Sequence, residues 1–332
     1  MKQLLFMLLV CIAASAQGKK QAEQAELSMK KGDYKSAEKF YSDAIAAEPK
    51  NAKYFNSRAL AYFMDKEFDK ANEDYGTAIK LSPESAYFLY DRALFYFSLN
   101  YLAEASLDHD IALQKANGDK VLQTRLLALN ADIKRNKGDF EGAIQDYKSV
   151  LERDPEEGLK LACLTNLGAV LGRMNRNDEA ILYLEQAVKS HPKVASVYNN
   201  LGFRYLAKND YAKALEIYDK AISLSVKKGD DGTTVISNKT SAQDDVSSAL
   251  LYNNRGYAKF KLGDLTGAMT DVNKSISLSP DNSYAFRNRA LIHSAQNEMA
   301  SACQDATKAL ELGFTKSYGE EMELLKKSVC KP

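Results

Sequence analysis

The 332 residues include no tryptophan, only three histidines, six prolines and four cysteines, and 45 basic side chains stand against 44 acidic ones. Each scarcity excludes something. A formal net charge of +1 leaves no basic footprint for a nucleic-acid backbone. His109, His191 and His293 lie far apart, and no CxxC or CxxxC spacing occurs, so zinc and thiol-redox readings are weak. There is no glycine-rich phosphate loop, no metal-ligand spacing and no nucleophile elbow. The chain reads as a non-enzyme that needs no cofactor and no metal. Beyond Ala14 no apolar run is long enough to cross a bilayer.

What is present begins at the first residue. "MKQLLFMLLVCIAASAQG" carries one Lys, an apolar run from Leu4 to Ala14, and small residues before Gln17. This is the pattern of a secretory signal peptide over residues 1–16, cleaved after Ala16. Cys11 comes early and follows Val10, which disfavours lipid attachment. Left uncut, the segment would leave Lys2 on the cytoplasmic side and the rest of the chain outside. The expectation is an exported protein with no integral membrane span after cleavage. A periplasmic location suits an export signal without eukaryotic features, and secretion or attachment to the envelope stays open. Cys163, Cys303 and Cys330 remain after cleavage and allow three pairings. Cys303–Cys330 would staple the last segment of the chain; the alternative is buried free thiols.

The dominant feature is self-similarity. The turns "KGDYKSA" (31–37), "KEFDKA" (66–71), "NYLAEA" (100–105), "KGDFEGA" (138–143), "NRNDEA" (175–180), "KNDYAKA" (208–214), "LGDLTGA" (262–268) and "QNEMASA" (296–302) each lie between two helical patterns. Their last alanines, from Ala37 to Ala302, are spaced by 34, 34, 38, 37, 34, 54 and 34 residues. Pro49, Pro83, Pro155, Pro192 and Pro280 close units, since proline cannot continue a helix.

These motifs resemble the tetratricopeptide repeat, a helix–turn–helix with Leu-Gly in its first helix and small residues in its second. "YNNLGFRYLAKNDYAKALEIYDKAISL" (198–224) and "YNNRGYAKFKLGDLTGAMTDVNKSISLSP" (252–280) match it most closely. Eight units follow, at 18–51, 52–85, 86–119, 124–157, 161–194, 195–228, 249–282 and 283–316. The resemblance implies an all-α, right-handed superhelical solenoid whose inner groove is lined by first helices. Ala59, Ala93, Gly168, Gly202, Gly256 and Ala290 are the small residues that let second helices approach. Residues 317–332, with Met322, Leu325 and Val329 on one face, read as a capping helix. The insertion 229–248 reads as a solvated loop, with "TTVIS" as a candidate strand for a partner.

One repeat position carries a charge where an apolar residue is expected. Arg58, Arg92, Arg255 and Arg289 hold it, and sixteen residues later come Asp74, Asp108, Asp271 and Asp305. Where the first position is Leu167 or Leu201, the second is Tyr183 or Ile217; the fourth unit has Asn130 and Asp146. Charge goes with charge and apolar with apolar, so the two positions should touch as structural ion pairs. Binding of an acidic ligand by these arginines is the less favoured reading.

In the resembling family, ligands lie on first helices. A column of Asn166, Asn200, Asn254 and Asn288, with Asn199 and Asn253 beside it, offers donors and acceptors to an extended peptide backbone. The competing account is packing or solvation. Phe203, Tyr257 and Arg287 belong to the same candidate groove. In the front half Tyr87 and Tyr90, with Leu60, Phe63, Met64, Leu94 and Phe97, either bind or pack on the next unit. The family's set of Lys, Asn and Arg residues for a peptide's C-terminal carboxylate is mostly absent: Asn254 keeps the central place, but Asn199, Phe203, Tyr284 and Asn288 stand where Lys, Asn, Lys and Arg would be expected. Arg287 and Arg173 remain able to meet an acidic group. The resulting expectation is a scaffold that binds a protein or extended peptide in its groove. An architectural subunit of an envelope or secretion complex, using its outer face or ends, is the alternative.

Overall fold

The turns start helices by a shared device. Gly32, Gly138 and Gly263 adopt positive φ, and the aspartate that follows each accepts a hydrogen bond from a backbone N–H three residues on. Asp33 caps through Ser36 at 3.1 Å, Asp139 through Gly142 at 3.0 Å and Asp264 through Gly267 at 2.8 Å. In other units Lys66, Asn100, Asn175, Asn209 and Asn297 occupy the left-handed position.

In the computed structural model, which describes residues 2–228, 234–236, 242–314 and 320–330, this punctuation yields seventeen helices among those residues. They pair as antiparallel hairpins: α1 (Lys2–Lys31) with α2 (Tyr34–Ala47), α3 (Ala52–Met64) with α4 (Phe68–Leu81), α5 (Ala86–Ser98) with α6 (Leu102–Lys115), and α7 (Lys120–Lys137) with α8 (Phe140–Glu152). Then α9 (Glu157–Arg173) precedes α10 (Asn177–Ser190), α11 (Ala195–Ala207) packs with α12 (Tyr211–Ser225), α13 (Ala242–Lys261) with α14 (Leu265–Leu278), and α15 (Ser283–Ala295) with α16 (Met299–Glu311). The last helix, α17 (Glu321–Val329), packs on α16. The fold is an all-α solenoid of stacked helical hairpins. It divides into two compact units, Met1–Leu159 and Lys160–Pro332.

Hairpins close on small residues. Ala59, Ala71, Ala93 and Ala105 in the first unit are fully buried, as are Ala214, Ala268, Ala290 and Ala302 in the second. At Gly202 a Cβ would lie 2.8 Å from Tyr218 Cζ, so glycine is what lets the tyrosine ring sit flush on α11. Large side chains then fill the layer between neighbouring hairpins; Tyr147, Leu126 and Ile133 in the first unit, and Tyr218, Leu184 and Leu201 in the second, are almost wholly excluded from water. Each contributes on the order of 1.5–3 kcal/mol by burial.

Three sequence expectations shift. Helices α7 and α9 start at Lys120 and Glu157, one turn ahead of the repeat phase at 124 and 161. Asp119 caps α7 by accepting from Leu122 N at 2.9 Å, and Glu157 supplies the acidic first turn of α9. The stretch 229–248 is not all loop: β1 (Val226–Lys228) and β2 (Thr234–Ile236) form an antiparallel ribbon, and α13 is already helical from Ala242. Propagating a helix adds a hydrogen bond for each residue fixed, so α13 extends back into the insertion. Residues 229–233 and 237–241 of that stretch lie outside the described residues, as do 315–319 and 331–332 of the C-terminal segment. Helix α1 runs through position 16 without a break, and no described helix is long and apolar enough to cross a membrane.

At the end of the second unit Met322 is fully buried against Ala306, Ala309 and Phe314, with Leu325 partly buried beside them. Cys303 and Cys330 are joined, with Cα atoms 5.0 Å apart, which ties the end of α17 to α16. Cys163 is buried and takes no part in that disulfide.

Candidate functional site: a cavity in the second unit

The arginine column is a set of bidentate pairs. Arg58 donates from Nε and Nη2 to Asp74 at 2.6 and 2.9 Å; the Arg92–Asp108 distances are 2.7 and 2.9 Å. Arg255–Asp271 closes at 2.7 and 2.7 Å and Arg289–Asp305 at 2.7 and 2.8 Å. The four aspartates are buried, and the Asp74 and Asp108 carboxylates raise the pKa of Arg58 and Arg92. Burial disfavours the charge on Arg255, yet Asp271 and Asp219 together hold its pKa above the usual value. In the fourth unit Asn130 donates to Asp146 at 2.8 Å, and Lys134, one turn on, supplies the cation at 2.8 Å. These charges serve the hairpins, and the remaining guanidinium nitrogen donates to Ser42 from Arg58, to Asp219 from Arg255 and to Asn273 from Arg289.

The amide column behaves differently. In the second unit α9, α11, α13, α15 and α17 line a cavity of about 670 Å³. Arg287 Nη1 donates to Asn288 Oδ1 at 2.7 Å, Asn288 Nδ2 to Asn253 Oδ1 at 2.8 Å, Asn253 Nδ2 to Asn254 Oδ1 at 3.1 Å, and Asn254 Nδ2 to Asn199 Oδ1 at 3.4 Å. The chain runs one way and couples three first helices. Asn253 and Asn288 are buried, so they fix the wall. Asn199, Asn200 and Asn254 are half-buried cavity residues, and each amide keeps hydrogen-bonding capacity beyond the links just named. Asn166 does not line the cavity.

Phe203 is 49% exposed at the cavity wall. Tyr257 lies under the Arg287 guanidinium, 4.8 Å from ring centre to Cζ, and packs edge-on against Tyr211. Arg287 is not available to an acidic ligand as the sequence suggested: Glu321 of α17 takes it bidentately at 2.7 and 2.9 Å. That partner lies 34 residues away on the capping helix, outside the repeat register. Arg173 lines the cavity as well. Sequence reasoning missed Glu321, Arg204 and Phe314, all cavity residues. Arg204 sits over Phe203 at 4.7 Å, and its Nη1 reaches Asn177 Oδ1 at 3.4 Å. Burial holds its guanidinium below the usual arginine value.

Tyr87 and Tyr90 belong to the first unit. Tyr87 is exposed and its hydroxyl donates to Asp119, while Tyr90 packs against Leu89, Ala93 and Leu129. Leu60 and Met64 are exposed; Phe63, Leu94 and Phe97 pack within the first unit. A cavity of about 620 Å³ beside α7 has Arg125 at its wall, answered by Glu156 at 2.8 Å. Among the described residues no group of acidic, His or Cys side chains could hold a metal ion.

Models of the tetratricopeptide repeat match residues 23–71, 123–190, 165–230 and 249–282. The Hsp70-Hsp90 organizing protein of Triticum aestivum is 30% identical over 203 residues, which cover 55% of this chain and 34% of that protein. The chain spans about one third of the length of the first curated relatives it matches. Among solved structures, the Cut9-Hcn1 hetero-tetramer of APC/C superposes with a TM-score of 0.64 at 17% identity, over 92% of this chain and 55% of that one. The C-terminal part of a TPR repeat-containing protein from Cytophaga hutchinsonii gives 0.54 at 19% identity, over 80% and 97%. Such identities establish the fold alone. The stacked helical hairpins of this chain are tetratricopeptide repeats.

Proposed function

We propose that this chain is a non-enzymatic scaffold that holds an extended segment of a partner protein in the cavity of its second unit. The observation that carries the reading is the combination on one concave wall of half-buried amides with spare hydrogen-bonding capacity and the exposed Phe203 ring. Amides can pair with a peptide backbone of any sequence, and an aromatic ring adds contact area at little entropic cost. Repeats of this family bind proteins or peptides, and the name of the wheat relative speaks of organising two other proteins.

The apolar segment before Gln17 supports export, with work in the cell envelope and the periplasm as the compartment. N-terminal sequencing of protein recovered from the producing cell's envelope should begin at Gln17; a mature chain beginning at Met1 overturns export.

A photo-crosslinker at Phe203, used on envelope extract, should trap a discrete partner. The Asn200→Ala, Tyr257→Ala double variant should lose that adduct while keeping its thermal transition. An adduct that persists in the double variant would move binding out of the cavity. Leu107 on α6 and Leu182 on α10, 62% and 56% exposed on second helices, are where an architectural contact would then be sought.

A further inference from the structure

Arg204 breaks a column of the repeat. The equivalent position holds Leu27, Ala61, Phe95, Ile133, Val170, Ala258 and Ile292. All but Leu27 are buried. A charge here replaces an apolar core contact, which is expensive unless something answers it.

The fold makes room for this side chain without neutralising it. Gly172, one repeat earlier, stands where other units place Phe63, Phe97 and Phe260; a Cβ there would collide with the Arg204 guanidinium. The guanidinium lies across that glycine and over the Phe203 ring at 4.7 Å. Among the described residues it forms no ion pair, and its one hydrogen bond there is the long contact to Asn177 at 3.4 Å. Its neighbours in the array are all answered: Arg255 by Asp271 and Asp219, Arg287 by Glu321, Arg289 by Asp305. Arg204 also lines the cavity with Arg173, Asn200 and Phe203.

We propose that the missing counter-charge is supplied by the ligand, so that Arg204 is the anchor for a carboxylate of the bound peptide. The inference rests on the cavity reading above. A guanidinium already partly desolvated and held between a glycine and an aromatic ring loses less on binding than an exposed one, and presents its donors as a fork that matches a carboxylate. The carboxylate can come from an Asp or Glu side chain or from the peptide's C-terminus.

The test is selection from a display library of random dodecapeptides, prepared with free and with amidated C-termini, against the full chain and Arg204→Met. Wild type should enrich Asp or Glu, or a free C-terminus, beside an apolar residue. Arg204→Met should select without that preference and bind the wild-type winners about 10-fold or more weakly. Arg204→Lys should keep part of the preference. Acidic enrichment that survives amidation identifies a side-chain carboxylate, and binding lost on amidation identifies the terminus; either supports the anchor. Melting of Arg204→Met should be unchanged or higher, because a desolvated charge is removed; a clearly lower Tm would make Arg204 a structural residue and overturn the proposal. Binders that lack an acidic preference overturn the anchor alone, whereas a library that yields no binder overturns the cavity reading and the anchor with it.

Discussion

Arg58 in α3 and Leu201 in α11 occupy one position of their repeats, and Asp74 and Ile217 occupy the facing one. The first hairpin closes with a bidentate ion pair at 2.6 and 2.9 Å; the second closes in an apolar cluster where Leu201 is buried and Ile217 packs beside Leu184. Both hairpins have the same helix lengths to within a residue. The backbone therefore does not demand a charge at this slot. What it demands is that the two positions agree. A buried ion pair gains little over a well-packed apolar pair of similar volume, but half of one is costly.

The sharpest way to break this comparison is Arg58→Ala. It strands Asp74, whose side chain is 7% exposed, without its cation. A loss of about 3–5 kcal/mol is expected from urea unfolding. The double variant Arg58→Leu, Asp74→Ile copies the α11–α12 solution and should recover most of that loss. A double variant as unstable as the single one would mean that the charge itself is required. Arg255→Ala is expected to be milder, because Lys259 still reaches Asp271 at 2.9 Å.

The next position sharpens the contrast. Ala59 follows Arg58, whereas Gly202 follows Leu201. Gly202→Ala pushes a methyl to within 2.8 Å of the Tyr218 ring and should cost about 1–3 kcal/mol by overpacking. Ala59→Gly removes one buried methyl and adds backbone freedom to the helix, and should cost about 1–2 kcal/mol. A Gly202→Ala variant that melts with wild type would mean that the Tyr218 ring yields and that α11–α12 closes no more tightly than α3–α4.

The slot pairing was legible because the chain repeats the experiment on itself: Arg appears with Asp four times, and Leu appears without it. The 34-residue spacing likewise located the helices to within about a turn. Contacts that leave the register were not legible. Arg287 meets Glu321 on a helix that is not a repeat, and this removed a cation that the sequence had assigned to the ligand. The asparagine column was read as one surface, but burial divides it: Asn253 and Asn288 became wall, and Asn200 and Asn254 remained at the cavity. Residue type alone cannot make that distinction, since it depends on how far each first helix is rotated. Arg204 did carry a signal, as a lone charge in an apolar column, visible once every repeat position is compared and not only the one that opens with Arg58.

The first unit holds the converse of Arg204. Asp91 in α5 is partly buried and forms no ion pair with a described residue, the Arg125 charge acting on it only from a distance; Asn56 Nδ2 donates to it at 2.6 Å, and Asn56 Oδ1 has no partner among the described residues. Desolvation raises its pKa above the ordinary 3.8, and the Asn56 hydrogen bond offsets that only in part. The folded chain therefore holds this proton more tightly than the unfolded chain does. Protonation favours the fold, and stability from this group falls as pH rises from the ordinary carboxylate value through the raised one. Asp91→Asn removes the ionisable group while keeping a hydrogen-bonding side chain of the same size. It should be modestly more stable than wild type at pH 7, and the gap should close as pH falls through about 4, where both states of the wild-type residue become protonated. Thermal melts of the two proteins across that range would decide it: a variant that is less stable at pH 7 would show that Asp91 is stabilised in its charged form, and a gap that does not depend on pH would show that folding leaves its titration unshifted.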